Sequence, residues 1–196
     1  MAGVTRVPSQ FIYATEALRD AAIPAPVEGQ QAYITASTVA AATGGTTSVP
    51  TGIQTIYNGA AWVCVTEVAT YTDNDGTTTS GSYTTTLTSG GTNPSVTVST
   101  GTTALLTFAA DVYNSAAGGG VTNNVTVSVS GATTISAITG AQHAVLIPVA
   151  GNAIGLGRTV VVTGLTAGTN TFTLNYLSVG GTGNFRRRHL TARGIA

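Results

Sequence analysis

The chain has 196 residues, a formal net charge of zero and only 7% charged residues, against roughly a quarter in ordinary soluble domains. All seven basic residues are Arg, and a single Cys excludes an intrachain disulfide framework. Two His and one Cys cannot supply a usual four-ligand zinc site without convergence from distant segments, so no metal and no cofactor is expected.

The length suits one domain, or a domain with a small added module. The opening MAGVTRVPSQ lacks a basic segment followed by an apolar core, so no secretory signal is expected. No apolar run approaches the roughly 20 residues of a membrane span, and synthesis in a host cytoplasm is the simplest expectation. Thr15 is placed to cap a short helix over EALRDAA, with Glu16 at its positive end and Pro24 as its stop. IPAPVEG is stiff and turn-forming, QAYIT reads as a strand, and residues 40–52 read as a loop. IQTIYNGAAWVCV has two apolar runs about Asn58-Gly59, a strong hairpin signal, with Tyr57 and Trp62 packing it. Cys64 lies between Val63 and Val65 as a small buried residue.

Residues 71–80 read as a linker after a first module over 1–70, with a second domain over 81–196. TSGSYTTTLTS is expected to be that domain's first strand. SVTVST, TALLTFAADVY, NNVTVSVSG, TTISAIT, HAVLIPV, RTVVVTG and NTFTLNYLSV follow, and a last strand runs through Phe185 to Ile195. Strands this short and this dense, with no long amphipathic helix, make an all-β sandwich or jelly roll. Val160, Val162, Phe172, Leu174 and Tyr176 recur at period two, the spacing of a half-buried strand. TALLTFAADV is almost continuously apolar, as in a strand covered on both faces or lying along an oligomer axis.

Catalytic groupings are scarce. No G-x-S-x-G elbow occurs, and His143 and His189 lie in strands of opposite character. Asp73-Asn74-Asp75-Gly76 fails as an EF-hand loop, because the first and twelfth positions would be Tyr71 and Ser82. The second domain holds one carboxylate, Asp111, so the paired acids of a glycosidase are missing. Up to residue 185 three Arg face seven acids, a balance of −4, and Arg186, Arg187, Arg188 and Arg193 then restore +4. These Arg sit inside an expected strand without Lys or an aromatic ladder, so nucleic acid is not expected, and pairing with acids such as Asp111 of neighbouring subunits is; the lack of a long apolar run leaves no membrane insertion expected.

RDAAIPAPVEGQQAYIT followed by IYNGAAWVCV resembles a small module of tailed-phage virion proteins. PSVTVSTGTTALLTFAADVYN with VTGLTAGTNTFTLNYLSVGGTGNFRRRHLTA is similar to the C-terminal β domain of phage tail-fibre and head-surface proteins. Those domains resemble the trimeric jelly roll of the tumour-necrosis-factor and complement-C1q type. The resemblance implies a non-enzymatic homotrimer on the virion surface, either on the capsid exterior or on the tail. Its fold would be all-β, a small N-terminal β module followed by a jelly-roll sandwich. There is no heptad or collagen-like repeat, which favours a compact capsid-decoration (cementing) protein over a short tail fibre or minor tail protein. Docking to the major capsid protein or other virion proteins is expected through Arg19, Asp20, Pro24, Pro26, Tyr33 and Trp62. The trimer interface is expected at Leu105, Phe108, Phe172, Leu174, Tyr176, Arg186, Arg187 and Arg188. A host-surface glycan is a further candidate partner, with Trp62, Tyr71, Tyr83 and Tyr113 as stacking residues.

Overall fold

A computed structural model of the chain describes residues 11–196. Residues 1–10, the stretch in which no secretory signal was expected, lie outside the described residues. The N-terminal part builds a four-stranded sheet of order β1-β2-β5-β6 from Phe11–Tyr13 (β1), Gln31–Ile34 (β2), Ile53–Tyr57 (β5) and Trp62–Cys64 (β6). The β5–β6 hairpin turns at Asn58, whose Oδ1 accepts from Ala60 N and Ala61 N at 3.1 and 2.9 Å. Gly59 supplies the positive φ of +89° that this turn requires. Helix α1 (Glu16–Ala22) starts as expected, with Thr15 Oγ1 accepting from Leu18 N at 3.3 Å.

The rest is a two-sheet sandwich. One sheet holds, in order, Ile154–Thr163 (β13), Thr103–Asn114 (β10), Gly183–Gly194 (β15), Val68–Thr72 (β7) and Thr46–Ser48 (β4), with Gly76–Thr78 (β8) also on β15. The other orders His143–Leu146 (β12), Thr122–Gly131 (β11), Gly168–Val179 (β14), Ser95–Thr100 (β9) and Ala41–Thr43 (β3). All of these pairings are antiparallel. The sequence β7, β9, β10, β11, β12, β13, β14, β15 crosses between sheets at every step except the β11–β12 connection. That is the strand order of a jelly roll, and the chain is an all-β sandwich.

The core lies between the sheets. Ala104, Leu106, Phe108 and Val112 of β10 face Val125 and Val127 of β11 and Phe172, Leu174 and Tyr176 of β14, all with no exposed surface. Alternation puts these side chains on the inner faces while their neighbours point outward. The expected period-two set on β13 and β14 is therefore in the core, with Val162 only 5% exposed.

Three sequence expectations are corrected. Residues 40–52 are not one loop, because β3 and β4 there join the two sandwich sheets. The expected linker over 71–80 contains the end of β7 and all of β8, so the sandwich takes strands from well before residue 81. Thr-rich and Gly-rich composition hid these strands, since edge strands need few apolar residues. TSGSYTTTLTS and TTISAIT form no strands and join the sheets through isolated bridges, Thr77–Thr88, Thr84–Tyr176 and Val129–Ile135, and single backbone bonds such as Ser178 N to Ser80 O and Ile138 N to Val127 O.

Candidate functional site

Among the described residues no group of three or more His, Cys, Asp and Glu side chains is placed to hold a metal ion. No helix there is long and apolar enough to cross a membrane. His143 lies on β12 and His189 on β15, in different sheets, so they do not meet around Asp111. A cleft of about 410 Å³ between module and sandwich is lined by Glu28, Tyr57, Asn58, Thr103 and Ile195, and brings no acid–base pair together.

The distinctive surface is the outer face of the β13-β10-β15-β7-β4 sheet. Register places Val161, Leu105 and Arg193 side by side across β13, β10 and β15. The next row is Thr159, Thr107, Thr191, Ala69 and Ser48, and the one after it Gly157, Ala109, His189, Tyr71 and Thr46. Thr107 and Thr159 hydroxyls hydrogen-bond at 2.9 Å. Small or β-branched side chains fill most of these positions, Leu105, Tyr71, His189 and Arg193 being the larger ones, and no carboxylate interrupts the rows. The opposite sheet's outer face is polar instead. Its rows include Ser95, Thr173 and Ser128, then Thr97, Thr171 and Ser130.

Beyond these rows the plateau meets a charged rim. Asp111 Oδ2 pairs with Arg187 Nη1 at 3.0 Å and lies 4.0 Å from Arg186 Nε. Arg186 also stands 5.7 Å from the Tyr113 ring centre. Tyr71 donates to Asp73, and that hydrogen bond raises its phenol pKa above the ordinary value.

The eight expected interface residues fall into three places. Leu105 alone is on the plateau. Phe108, Phe172, Leu174 and Tyr176 are in the core of a single subunit, where nothing remains for a neighbour to cover. Arg186 and Arg187 lie 4.0 and 3.0 Å from Asp111 of their own chain. Arg188 is 1% exposed and turned inward. Register slips between Ala109 and Asp111, and Arg187 sits at φ +49°, so this bulge reverses the facing of the run. Sequence reasoning missed Thr107, Thr159, Val161 and Ala109, whose only signal was the alternation in TALLTFAADV.

The expected docking residues also divide. Arg19 is 5% exposed, donates from Nη1 to Thr55 Oγ1 at 3.4 Å and has its Cζ 4.5 Å from the Trp62 ring centre. Both therefore hold the module together. Asp20 and Pro24 are exposed, and Pro26 and Tyr33 are half-buried. The exposed apolar side chains of the module are Phe11, Ile12, Leu18 and Val27. Of the candidate stacking residues, Trp62, Tyr71, Tyr83 and Tyr113 are all half-buried.

No protein-family model matches the sequence, and no curated protein matches it. Among solved structures, the chain is similar to Eiger TNF from S. frugiperda at 11% identity and TM-score 0.44, covering 65% of this chain and 92% of that one. A chain in the structure of infectious bursal disease virus, Gx strain, is 12% identical at TM-score 0.41, covering 72% of this chain and 41% of its own. The isomalto-dextranase of Arthrobacter globiformis T6, complexed with panose, is 16% identical at TM-score 0.32, covering 83% and 32%. The chain's own strand order and registers make the jelly roll.

Proposed function

We propose that this chain is a homotrimeric structural protein on the surface of a tailed-phage particle, a capsid-decoration part that holds neighbouring subunits together. The supporting observation is the plateau formed by Leu105, Thr107, Ala109, Thr159 and Val161. One face of β10 is sealed in the core, while its other face, with Leu105, Thr107 and Ala109, stays partly exposed and carries no charge until Asp111. Rotational self-association covers such a face without further sequence. A standard contact takes about 800 Å² per partner, a patch that one sheet face of this size can supply. The scarcity of charge in the whole chain fits a surface hidden in an assembly. The N-terminal module, with Phe11, Ile12, Leu18 and Val27 exposed, would face the particle.

Solution mass at micromolar concentration tests the self-association, with a trimer expected and a stable monomer refuting it. Deleting the gene tests the role: capsids that lose heat resistance support cementing. Intact particles that no longer adsorb to cells would place the protein on the tail as a short fibre.

A further inference from the structure

We propose that residues 73–93 form a detachable strap, tied shut by Arg188, which opens without unfolding the sandwich. The strap crosses from one sheet to the other where the regular edge strands stop. Strand β9 covers β14 only along residues 168–173, and β7 covers β15 along 188–192. Beyond those points the strap takes over. Strand β8 pairs with Gly183, Asn184 and Phe185, Thr84 exchanges two 2.9 Å backbone bonds with Tyr176, and Ser80 O accepts from Ser178 N at 2.9 Å.

Little apolar burial holds it. Of its side chains, Tyr83 and Leu87 alone are large and apolar or aromatic, and both are half-buried. The remainder are Thr, Ser, Gly, Asp and Asn. The tie is polar. Arg188 Nη2 donates to Asn74 O at 3.3 Å and to Gly90 O, so one guanidinium joins both limbs of the strap at its base. Its Nη1 donates to Tyr176 Oη at 3.2 Å, and Tyr176 Oη donates to Asn93 Oδ1 at 2.7 Å. Among the described residues no carboxylate pairs with Arg188, and its Nε is buried without a hydrogen-bond partner. The tie is thus a small set of hydrogen bonds to neutral oxygens, without a carboxylate partner to strengthen it. Opening is therefore easy compared with exposing Phe108 or Phe172, and segments held in this way come from the low-stability end of a fold.

The limbs also touch closely. A Cβ added at Gly76 would lie 2.6 Å from Gly90 Cα and 2.7 Å from Leu87 Cβ, so Gly76→Ala spreads the strap without altering any charge.

Backbone hydrogen exchange on the full chain tests the proposal. In the wild type, amides of Thr77, Thr84, Thr88, Tyr176 and Ser178 are expected to exchange at least ~100-fold faster than those of central strand β10. Arg188→Met and Gly76→Ala should each speed the strap amides a further ~10-fold or more, with β10 and β11 unchanged. Equal protection of strap and β10 in the wild type would overturn the proposal. Acceleration that spreads equally to β10 and β11, or none in the strap, would do so as well. Should Arg188→Met fail to fold, the wild type and Gly76→Ala decide between these outcomes.

Discussion

Arg19 holds its guanidinium carbon 4.5 Å from the centre of the Trp62 ring, joining helix α1 to the β5–β6 hairpin. The side chain is 6% exposed, and its ion pair to Asp20 at 2.8 Å reaches a partner 56% exposed. The buried contacts to Trp62 and Thr55 therefore outweigh the exposed pair. Arg19→Ala should destabilise the module by about 2 kcal/mol, and Asp20→Asn by less than about 1 kcal/mol. Trp62 is the only Trp, so its emission reports this module directly. Equal effects of the two substitutions would contradict the ranking.

Glu16 supplies the second clasp of the module. Its carboxylate accepts from the Ser37 hydroxyl and from Thr38 N at 2.9 Å. Burial pushes its pKa up, but the bonds from Ser37 and Thr38 together outweigh that, and the net displacement is downward from 4.5. A carboxyl depressed in the folded state contributes stability that is complete at neutral pH and is lost as pH falls below 4.5 toward the lowered value. Titration followed by Trp62 emission should show the module loosening in that window. Glu16→Gln should remove that acid dependence and lower stability at neutral pH.

Legibility in the sequence followed the strength of the apolar signal. Phe172, Leu174 and Tyr176 alternate with Thr173 and Asn175, and they face the core as that period requires. The hairpin at Asn58-Gly59 and the helix cap at Thr15 were equally plain, because turns and caps are written in one or two residues. Strands β3, β4 and β8 are built from Thr, Ser, Ala and Gly and owe their pairing to neighbouring strands, which no local pattern records. The facing of Arg188 was illegible for another reason: one bulge residue reverses alternation, and nothing in RRR marks which Arg takes the positive φ. Period two was also misassigned at Phe108, whose face is the core, whereas Thr107 and Ala109 lie on the open side.

Cys64 offers a test of the packing between module and sandwich. The thiol has no exposed surface, and burial pushes its pKa up to about 11. At pH 8 it is protonated and out of reach of a disulfide reagent, so labelling requires opening. Native protein should react at least ~100-fold more slowly than denatured protein. Arg19→Ala should accelerate labelling, since Cys64 ends strand β6, which begins at Trp62. Immediate labelling of the native chain would show that β6 is not sealed against the sandwich.

Under the proposed trimer, Phe108 and Val161 separate core packing from subunit contact. Phe108 has no exposed surface and lies in the core, so Phe108→Ala should cost about 3–5 kcal/mol through lost burial and the cavity left behind. Val161 is 57% exposed on the plateau, and Val161→Glu places a charge there that a single subunit can hydrate. In the proposed trimer that charge would be buried against a neighbour, with Arg193 of its own row separated from it by Leu105, at a cost of several kcal/mol. The variant should therefore keep its unfolding midpoint as a subunit while its mass in solution falls from trimer to monomer. Phe108→Ala should behave oppositely, lowering the midpoint without selective loss of the trimer. A Val161→Glu protein that stays trimeric would remove the plateau as the contact surface and leave the open face of β10 without a stated role.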